Sequence, residues 1–333
     1  MIGVAMVGLG WWGRKMSGLV HTRSRTMRIV RAVEPDHNAA APFARDLGVP
    51  LSADYAEALA DPAVTAVILA TPHALHVGQI AAAVAAGKHV FCEKPLALTR
   101  AEAERAVRLC SQAGLVLGMG HERRFDPPIA SLLADAAAGR LGTLLQVEWQ
   151  FSHDRFLALT PDNWRLHPEH APAAGMTATG IHLTDLAVKL LGPASEVLVT
   201  CEQRASSMPS GDTLSAYARF AGGGTAYISA SLAMPFVSRF AVYGTLGWID
   251  VRDKAHVEAP AGWVVTRAMQ NGPITVEEVP PAEPVLSNLD AFARAVAGEA
   301  PYPITGADMI ANIALLEAIV AGATSRRLEQ VAA

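Results

Sequence analysis

Short apolar runs alternate with helical segments over roughly the first third of the chain. The runs are rich in β-branched residues and end at glycine, proline or charged residues, as buried strands do. They cover residues 2–7, 28–33, 64–70, 88–92 and 115–119. The helical segments are a stretch ending near residue 22 and residues 38–47, 78–86 and 102–113. This alternation predicts βαβ units and a parallel sheet with right-handed crossovers.

Two residues mark helix ends in this region. Pro42 is expected near the start of the helix at 38–47, because a proline in a helix interior removes a hydrogen bond. Gly87 is expected to end the helix at 78–86, since glycine adopts the left-handed conformation that helix C-termini favour.

The pattern changes after about residue 121, where strand-like stretches become longer and glycine-rich turns separate several of them, as in an antiparallel sheet. The stretches are residues 143–151, 197–203, 213–220, 225–231, 240–243 and 248–251. A helix at 129–138 precedes them, and helices at 285–298 and 307–323 close the chain. We therefore expect a second domain of α+β type.

Composition narrows the class of protein. A chain of 333 residues favours two domains, and a net charge of −4 gives no basic face for nucleic acid. Cys92, Cys110 and Cys201 form no CxxC pair, which fits a reducing compartment. The start of the chain has no basic leader, and no apolar run approaches about 18 residues, so neither a signal peptide nor a membrane span is expected.

A glycine motif, GxGxxG, follows the first strand and opens the first helix. Gly8 allows a tight turn, Gly10 lets the backbone approach a pyrophosphate, and Gly13 lets helix and strand pack closely. The motif predicts dinucleotide binding at the helix N-terminus. Trp11 and Trp12 fill the variable positions of the motif. Each tryptophan can either pack against the domain face or contact the cofactor, and the sequence does not decide between these roles.

An acidic residue ends the second strand. Glu34 can accept hydrogen bonds from both adenosine ribose hydroxyls and would repel a 2′-phosphate, which favours NAD. Arg14, Arg31 and His37 lie near enough in sequence to leave NADP open.

Further motifs follow in order, and together they resemble the Gfo/Idh/MocA family, the glucose–fructose oxidoreductase and inositol dehydrogenase group. They are Thr71-Pro72-His73-Ala74-Leu75-His76, Glu93-Lys94-Pro95, Arg124-Phe125-Asp126-Pro127, Trp164-Arg165 and residues 175–185 (GMTATGIHLTD). The resemblance covers nearly the whole chain. It implies an N-terminal Rossmann domain, residues 1–121, and a C-terminal domain, residues 122–333, whose open, mostly antiparallel sheet has helices on one face. The last helix is expected to return toward the first domain.

The resemblance also implies an activity. Family members transfer hydride between NAD(P) and a hydroxyl or carbonyl carbon of a sugar, cyclitol or related polyol. Many are dimers or tetramers built through the exposed sheet face, and a cytoplasmic homo-oligomer is expected here. Two alternatives remain: glycoside cleavage through transient oxidation with a tightly bound cofactor, and an inactive nucleotide-binding sensor.

The family's catalytic lysine and second-domain histidine match Lys94 and His182. The alternative for each is a structural role, as a surface lysine and as a core histidine. Many members carry an aspartate four residues before that histidine, but Ala178 stands there in this chain. Acid–base work would then fall to Lys94 and His182, with a threonine hydroxyl or water in addition.

Other side chains are expected around these two. The Thr-Pro segment and the acid before Lys94 are assigned to the cofactor side, namely Thr71, Pro72, His76 and Glu93. The substrate side takes Arg124, Trp164, Arg165 and Thr179, because a guanidinium fork and an indole face suit carboxylates, hydroxyls and sugar rings. The plainer readings are a surface loop for Trp164 and Arg165 and a salt bridge between domains for Arg124. His153, His167 and His170 match no compact metal motif, so no metal is expected.

Overall fold

The computed structural model describes residues 1–173, 175–256 and 259–332. The chain divides into two compact units. The first holds Met1–Glu122 and Pro284–Ile310, and the second holds Arg123–Glu283 and Ala311–Ala333. The chain therefore leaves the first unit after Glu122, returns to it at Pro284, and passes into the second again within its last long helix.

The strands of the described residues form one sheet in each unit. In chain order they are β1 (Ile2–Val7), β2 (Met27–Val33), β3 (Leu51–Ser52), β4 (Ala66–Leu69), β5 (His89–Cys92), β6 (Leu117–Met119), β7 (Leu144–Ser152), β8 (Ala194–Glu202), β9 (Thr213–Phe220), β10 (Thr225–Ser231), β11 (Val237–Gly244), β12 (Gly247–Asp253), β13 (Trp263–Met269), β14 (Ile274–Val279) and β15 (Leu328–Gln330).

The helices lie between and after these strands. In chain order they are α1 (Trp11–Arg23), α2 (His37–Leu47), α3 (Tyr55–Ala60), α4 (His76–Ala85), α5 (Arg100–Gln112), α6 (Pro127–Ala137), α7 (Ile181–Leu191), α8 (Pro284–Val296) and α9 (Gly306–Ser325). A π-helical turn, Met176–Gly180, leads directly into α7.

The sheet of the first unit has the order β3-β2-β1-β4-β5-β6, and every pair in it is parallel. The strand order reverses at β1, which lies between β2 and β4. In open α/β sheets a ligand crevice forms at such a reversal, outside the carboxyl ends of the strands. The predicted parallel sheet is confirmed.

Helix ends follow the local sequence, with one exception. Gly87 has a φ of +69° just beyond α4, as expected. Pro42 is not near a helix start, because α2 begins at His37 and the proline occupies its second turn. A proline there cannot donate to the carbonyl of Asn38, which is exposed and can bond to water instead. The expectation about Pro42 was therefore wrong.

The core of the first unit joins its two sequence segments. Phe292 of α8 packs edge-on against Phe91 of β5, with ring centroids 5.6 Å apart. The amide of Asn288 donates to the carbonyl of Met119 at 2.9 Å, and the Tyr302 hydroxyl donates to Asn288 Oδ1 at 2.6 Å. Residues 284–302 thus fix the end of β6 at the carboxyl edge of the parallel sheet.

The second unit contains a sheet of order β14-β13-β12-β11-β7-β10-β9-β8-β15. Its pairs are antiparallel except β7 with β10. Helix α7 packs against β7 and β10, and α6 packs against β12. A parallel sheet followed by a mostly antiparallel one confirms the predicted fold class.

Four strands were not predicted: the short β3 and β15, the edge strand β14 and its neighbour β13. β3 has two residues and β15 has three, which is too short for a periodic pattern. β14 is exposed at all but its last position, so it shows no alternation of apolar and polar residues. Its membership of the sheet depends on pairing with β13, which sequence periodicity does not report.

Helix α9 begins one residue before and ends two residues after the predicted helix at 307–323. By length and composition alone, the helix Gly306–Ser325 would be able to cross a membrane. Half of its most apolar window is buried inside the structure, and one such helix is weak evidence for a membrane span.

Candidate active site

In the turn between β1 and α1, each glycine of the motif is required for a different geometric reason. Gly8 has a φ of +92°, which side chains other than glycine rarely adopt. A Cβ at Gly13 would lie 1.9 Å from the Gly8 carbonyl oxygen, so only glycine lets the helix approach the strand so closely. A Cβ at Gly10 would meet nothing within 4 Å, which leaves that side of the turn open to a ligand.

The N-terminus of α1 suits a pyrophosphate. Gly10 is the N-cap, no side chain caps the helix, and its first turn has no acidic residue. The first N–H groups of a helix carry partial positive charge and need acceptors. The residues present therefore fit a dinucleotide with its phosphates on this turn.

Glu34 lies beside the same turn. Its Oε2 accepts a hydrogen bond from the Leu9 N–H at 2.7 Å, which fixes the carboxylate at the end of β2. Two of the basic side chains that left NADP open are engaged elsewhere. Arg14 donates to the carbonyls of Leu9 and Ala39, both at 2.8 Å. Arg31 pairs with Asp61 at 3.0 Å.

The two tryptophans of the motif have different environments. Trp11 is 54% exposed, whereas Trp12 packs against the core of the first unit. The Lys15 ammonium lies 5.4 Å from the Trp12 ring centroid. Packing thus accounts for Trp12, and Trp11 remains available to a ligand.

His76 connects the Thr-Pro segment to the Glu-Lys-Pro segment. It is fully buried at the start of α4, with Nδ1 2.9 Å from the Pro95 carbonyl and Nε2 3.0 Å from the Thr71 carbonyl. Burial lowers the pKa of His76 and outweighs the opposing effect of these carbonyls. The Thr71 hydroxyl donates to Gln79 Oε1 at 2.6 Å. The histidine therefore positions both loops, and Pro72 precedes the short 3₁₀ turn between them.

Lys94 follows β5 at the carboxyl edge of the parallel sheet. Its backbone N–H donates to Glu93 Oε2 at 3.3 Å. The Glu93 carboxyl is buried and packs on Gly120, where a Cβ would lie 2.5 Å from Oε2. Burial and the nearby Glu122 raise the pKa of Glu93 to about 7, against the opposing effects of Trp12 and Lys94. Glu93 thus gives Lys94 a neighbour that changes charge near neutral pH.

In the second unit, His182 is the second residue of α7 and is buried. Its ring centroid lies 6.2 Å from that of Phe151 on β7. The Thr179 hydroxyl donates to the Gly175 carbonyl at 2.9 Å within the π-helical turn. Because that bond uses its proton, Thr179 can offer a ligand only an acceptor.

The position of the missing aspartate is apolar. Ala178 packs with Phe156 and Leu159 against a small cluster formed by Leu166, Met208 and Leu232. A carboxylate here would lie beside these apolar side chains. The substitution therefore changes the surroundings of residue 178 and not only the acid itself.

Arg124 is bound to an acid within the second unit. Its Nε donates to Asp185 Oδ2 and its Nη2 to Asp185 Oδ1, each at 2.8 Å. The neighbouring Arg123 bridges Asp126 at 3.0 Å and Asp253 at 2.7 Å. Arg124 thus faces the helix that carries His182, and its salt bridge lies within the second unit, not between domains as the alternative reading had it.

Trp164 and Arg165 form a stacked pair. They lie in the 3₁₀ turn Trp164–Leu166, which Asn163 caps by accepting from the Arg165 N–H. Cζ of Arg165 is 4.4 Å from the Trp164 ring centroid. Burial lowers the pKa of Arg165.

One cluster of aromatic rings in the second unit was not predicted from the sequence. Phe151 is flanked by His153 and His256, with ring centroids 6.4 Å and 6.1 Å away, in addition to His182. The alternation of β7 placed Phe151 on the inner face, but His256 follows β12, some 100 residues later. Across the described ranges, no three His, Cys, Asp or Glu side chains come together as metal ligands.

The glycine turn, Glu34, the Thr71 and His76 loop and Lys94 thus belong to the first unit. His182, Thr179, Arg124, Trp164 and Arg165 belong to the second. In the first unit these residues follow β1, β2, β4 and β5. In the second they lie on three segments: the turn before α6, the 3₁₀ turn Trp164–Leu166, and the π-helical turn with α7.

Comparison with known proteins places both parts of the chain in one family. The NAD-binding Rossmann fold of the oxidoreductase family GFO_IDH_MocA matches residues 2–121, and the GFO/IDH/MocA C-terminal domain matches residues 133–250.

Individual relatives agree with this assignment. D-xylose 1-dehydrogenase (NADP(+)) 2 of Haloferax volcanii is 29% identical over 80% of this chain and 81% of its own length. 1,5-Anhydro-D-fructose reductase of Ensifer adhaerens is 28% identical over 91% of each chain. Levoglucosan dehydrogenase, in a complex with NADH and levoglucosan, has the same fold, with a TM-score of 0.85 and 21% identity over the full length of both chains.

The resemblance drawn from the motifs is therefore confirmed: the chain belongs to the Gfo/Idh/MocA family and is an NAD(P)-dependent oxidoreductase.

Proposed function

We propose that this protein oxidises or reduces a CH–OH centre of a polyhydroxylated small molecule. The observation that carries the proposal is the common edge of the glycine turn and Lys94. Gly8 follows β1 and Lys94 follows β5, and both strands belong to one parallel sheet. Because the carboxyl ends of parallel strands share an edge, a dinucleotide on the turn and a general acid–base group are offered on the same side. The named relatives act on sugars and sugar derivatives, which supports this substrate class.

When bound, the nicotinamide supplies the two-electron acceptor or donor. Lys94 is proposed to hydrogen-bond the reacting substrate oxygen and to take its proton during oxidation. On the resemblance, His182 of the second unit is proposed as a further acid–base residue, which would orient a substrate hydroxyl and pass a proton on. Ala178 contributes no proton-transfer group, so these two side chains form a smaller acid–base set than the resemblance implies.

NAD is the proposed preference. Glu34 is fixed beside the glycine turn, where it would repel a 2′-phosphate. Arg14 and Arg31, the two arginines that left NADP open, already hold protein oxygens. His37 is exposed at the start of α2 and is the remaining basic group of that set.

Assembly and location follow the family expectation and are also proposals. The rings of Tyr217 on β9 and Tyr227 on β10 pack against each other at a tilt of 52°, with centroids 4.9 Å apart, and Tyr227 is 49% exposed. A homodimer or homotetramer through this sheet face, in the cytoplasm, would bury them. Light scattering of wild type and Tyr227→Glu tests this, since the variant should dissociate. Nothing in the described residues favours glycoside cleavage or an inactive sensor.

Turnover with cofactor binding measured in parallel tests the function. Lys94→Ala should bind NADH as wild type does by calorimetry but lose at least about 100-fold in kcat, as expected for a removed general base. Lys189→Ala, an exposed lysine at the end of α7, is the matched control and should keep full activity. Unchanged kcat in Lys94→Ala would remove this residue from the mechanism. Absence of NADH and NADPH binding by wild type would refute the function.

A further inference from the structure

Two buried acids lie near the carboxyl ends of β5 and β6. Glu93 directly follows β5 and is 7% exposed, and Glu122 is the third residue after β6 and is 5% exposed. Both belong to the first unit. Removing one carboxylate from water is costly, and a like charge nearby adds to that cost. Stability alone therefore does not account for the pair.

The backbone brings the two acids together. β5 and β6 pair in parallel, and beyond their last paired residues the Gly120 N–H donates to the Cys92 carbonyl at 2.8 Å. A Cβ at Gly120 would lie 2.5–2.6 Å from the three carboxyl atoms of Glu93. The Glu93 carboxyl thus packs directly on the backbone that leads, two residues later, to Glu122.

Three side chains act on the charge of Glu93. Burial first, and then the charge of Glu122, raise the pKa of Glu93 to about 7, whereas the Trp12 indole and the Lys94 ammonium lower it. The backbone N–H of Lys94 also donates to Oε2 of Glu93 at 3.3 Å. Glu93 therefore interacts with an acid on one chain segment and with the proposed catalytic lysine on the other.

Two further titratable groups flank the acids. Cys92 precedes Glu93, and burial, Glu93 and Cys110 raise the pKa of its thiol well above the usual range, so the thiol is neutral at pH 7. His121 precedes Glu122 and is buried, and its backbone N–H donates to the Met119 carbonyl at 2.8 Å. Of the side chains that act on the charge of Glu93, Glu122 is the acidic one.

The coupling between Glu93 and Lys94 works in both directions, because an interaction between two charges has the same free energy for both partners. Since Lys94 favours the ionised form of Glu93, an ionised Glu93 favours the ammonium form of Lys94. With Glu122 ionised, Glu93 keeps its proton up to about pH 7. The two acids then carry one negative charge below that pH and two above it.

We propose that Glu93 and Glu122 form a coupled acid pair that sets the pH range in which Lys94 is an ammonium or a free amine. The ammonium can donate a proton to the substrate oxygen during reduction, and the amine can accept one during oxidation. Both acids are positioning residues in this scheme, and Glu122 acts through Glu93. The inference rests on the proposed function, because the charge of Lys94 affects turnover only if Lys94 exchanges a proton with the substrate.

Carbon-13 NMR titrations test the coupling without a substrate. The full chain is labelled at the carboxyl carbon of glutamate and at the ε carbon of lysine, and is titrated with and without NADH. The chain has five lysines, so its ε-carbon spectrum is simple. Glu93→Gln and Lys94→Ala assign the two resonances. In wild type we expect the Glu93 carboxyl to titrate near pH 7.

Variants of the two acids show whether they are coupled. Glu122→Gln should move the Glu93 titration to lower pH by at least about one unit, because it removes a like charge. Glu93→Gln should move the Lys94 titration to lower pH by at least about half a unit, because the ammonium loses a neighbouring anion. Adding Glu122→Gln to Glu93→Gln should then change the Lys94 titration by at most about 0.2 unit, as expected if Glu122 acts through Glu93.

A matched control and a folding check accompany these variants. Glu102→Gln removes an exposed carboxylate of α5 and should move neither titration. Glutamine is nearly isosteric with glutamate, and melting temperatures establish that each variant is folded.

The outcomes separate this inference from the proposed function. A Glu93 titration that is the same in Glu122→Gln as in wild type, or that moves in His121→Gln instead, would overturn the inference. A Lys94 titration that Glu93→Gln leaves unchanged would overturn it as well. These results would leave the proposed function intact, because no turnover is measured. Full kcat in Lys94→Ala would instead contradict the role of Lys94 in the proposed function, whereas coupled titrations would still support the acid pair.

Discussion

The Arg124 guanidinium holds the Asp185 carboxylate in a two-bond fork, Nε to Oδ2 and Nη2 to Oδ1. Both side chains are buried, at 5% and 1% exposure. Asp185 lies three residues after His182 on α7, so the two occupy neighbouring positions on the helix. The fork therefore fixes the helix that carries the proposed catalytic histidine, and we assign Arg124 a positioning role instead of substrate contact.

Breaking this fork should destabilise the protein strongly. Arg124→Met should lower the free energy of unfolding by about 3–5 kcal/mol, because Asp185 would be left as a buried charge without its partner. Arg219→Gln, which removes an exposed pair with Glu196, should cost at most about 1 kcal/mol. Urea denaturation measures both. Equal effects of the two variants would show that the fork does not hold α7.

Alanine substitutions at three glycines of the turn and of α1 should have three different effects on stability and NADH binding. Gly13→Ala should destabilise the fold by about 1–3 kcal/mol and weaken NADH binding, because its Cβ would clash with the Gly8 carbonyl. Gly10→Ala should leave the melting temperature unchanged and weaken NADH binding, since its Cβ points into open space beside the proposed phosphates. Gly18→Ala, in the same helix with nothing nearby, should be neutral or slightly stabilising.

Calorimetry with NADH and thermal melting together check this pattern. Full nucleotide affinity in Gly10→Ala would argue against phosphates on the N-terminus of α1.

His76 makes stability depend on pH. Its pKa in the folded protein is lowered from the ordinary 6.5, chiefly by burial. The unfolded chain therefore binds a proton that the folded protein resists, and stability should fall as pH drops below 6.5 toward the folded pKa. In His76→Gln this part of the pH dependence should disappear.

The measurement is the difference in unfolding free energy between wild type and His76→Gln at several pH values. His21→Gln, an exposed histidine of α1, should track wild type. A constant difference across pH would mean that His76 does not titrate in this range.

Glu93 should give the opposite trend. Burial and Glu122 raise its pKa from 4.5 to about 7, so its contribution to stability is complete below 4.5 and is lost as pH rises through 7. Glu93→Gln, which mimics the protonated acid, should gain stability over wild type across that interval. Glu122→Gln removes the charge that helps to raise the pKa of Glu93. In this variant the loss of stability with rising pH should therefore begin at a lower pH than in wild type.

Urea denaturation across the same interval tests both variants. A pH dependence in Glu122→Gln identical to that of wild type would show that the two carboxyls do not interact. Glu102→Gln, at the start of α5, serves as the matched control because Glu102 is exposed.

Local sequence determined much of the first unit. Strand and helix periods, the cap at Gly87 and the glycine turn depend on hydrogen bonds and sterics within a few residues, so a linear pattern reports them. The same is true of β9 and β10, whose predicted bounds are those of the structure. Pro42 shows the limit even locally, because its tolerance in α2 depends on which face of the helix is exposed.

Tertiary structure alone decided which distant groups meet. Arg124 and Asp185 are 61 positions apart, and Phe151 and His256 belong to different strands and loops. The parallel pairing of β7 with β10, the place of α8 in the first unit and the apolar surroundings of Ala178 likewise follow from packing. Motifs identified the side chains that carry the chemistry. Their partners, and hence the role of Arg124, depend on three-dimensional proximity, which no period or spacing along the chain encodes.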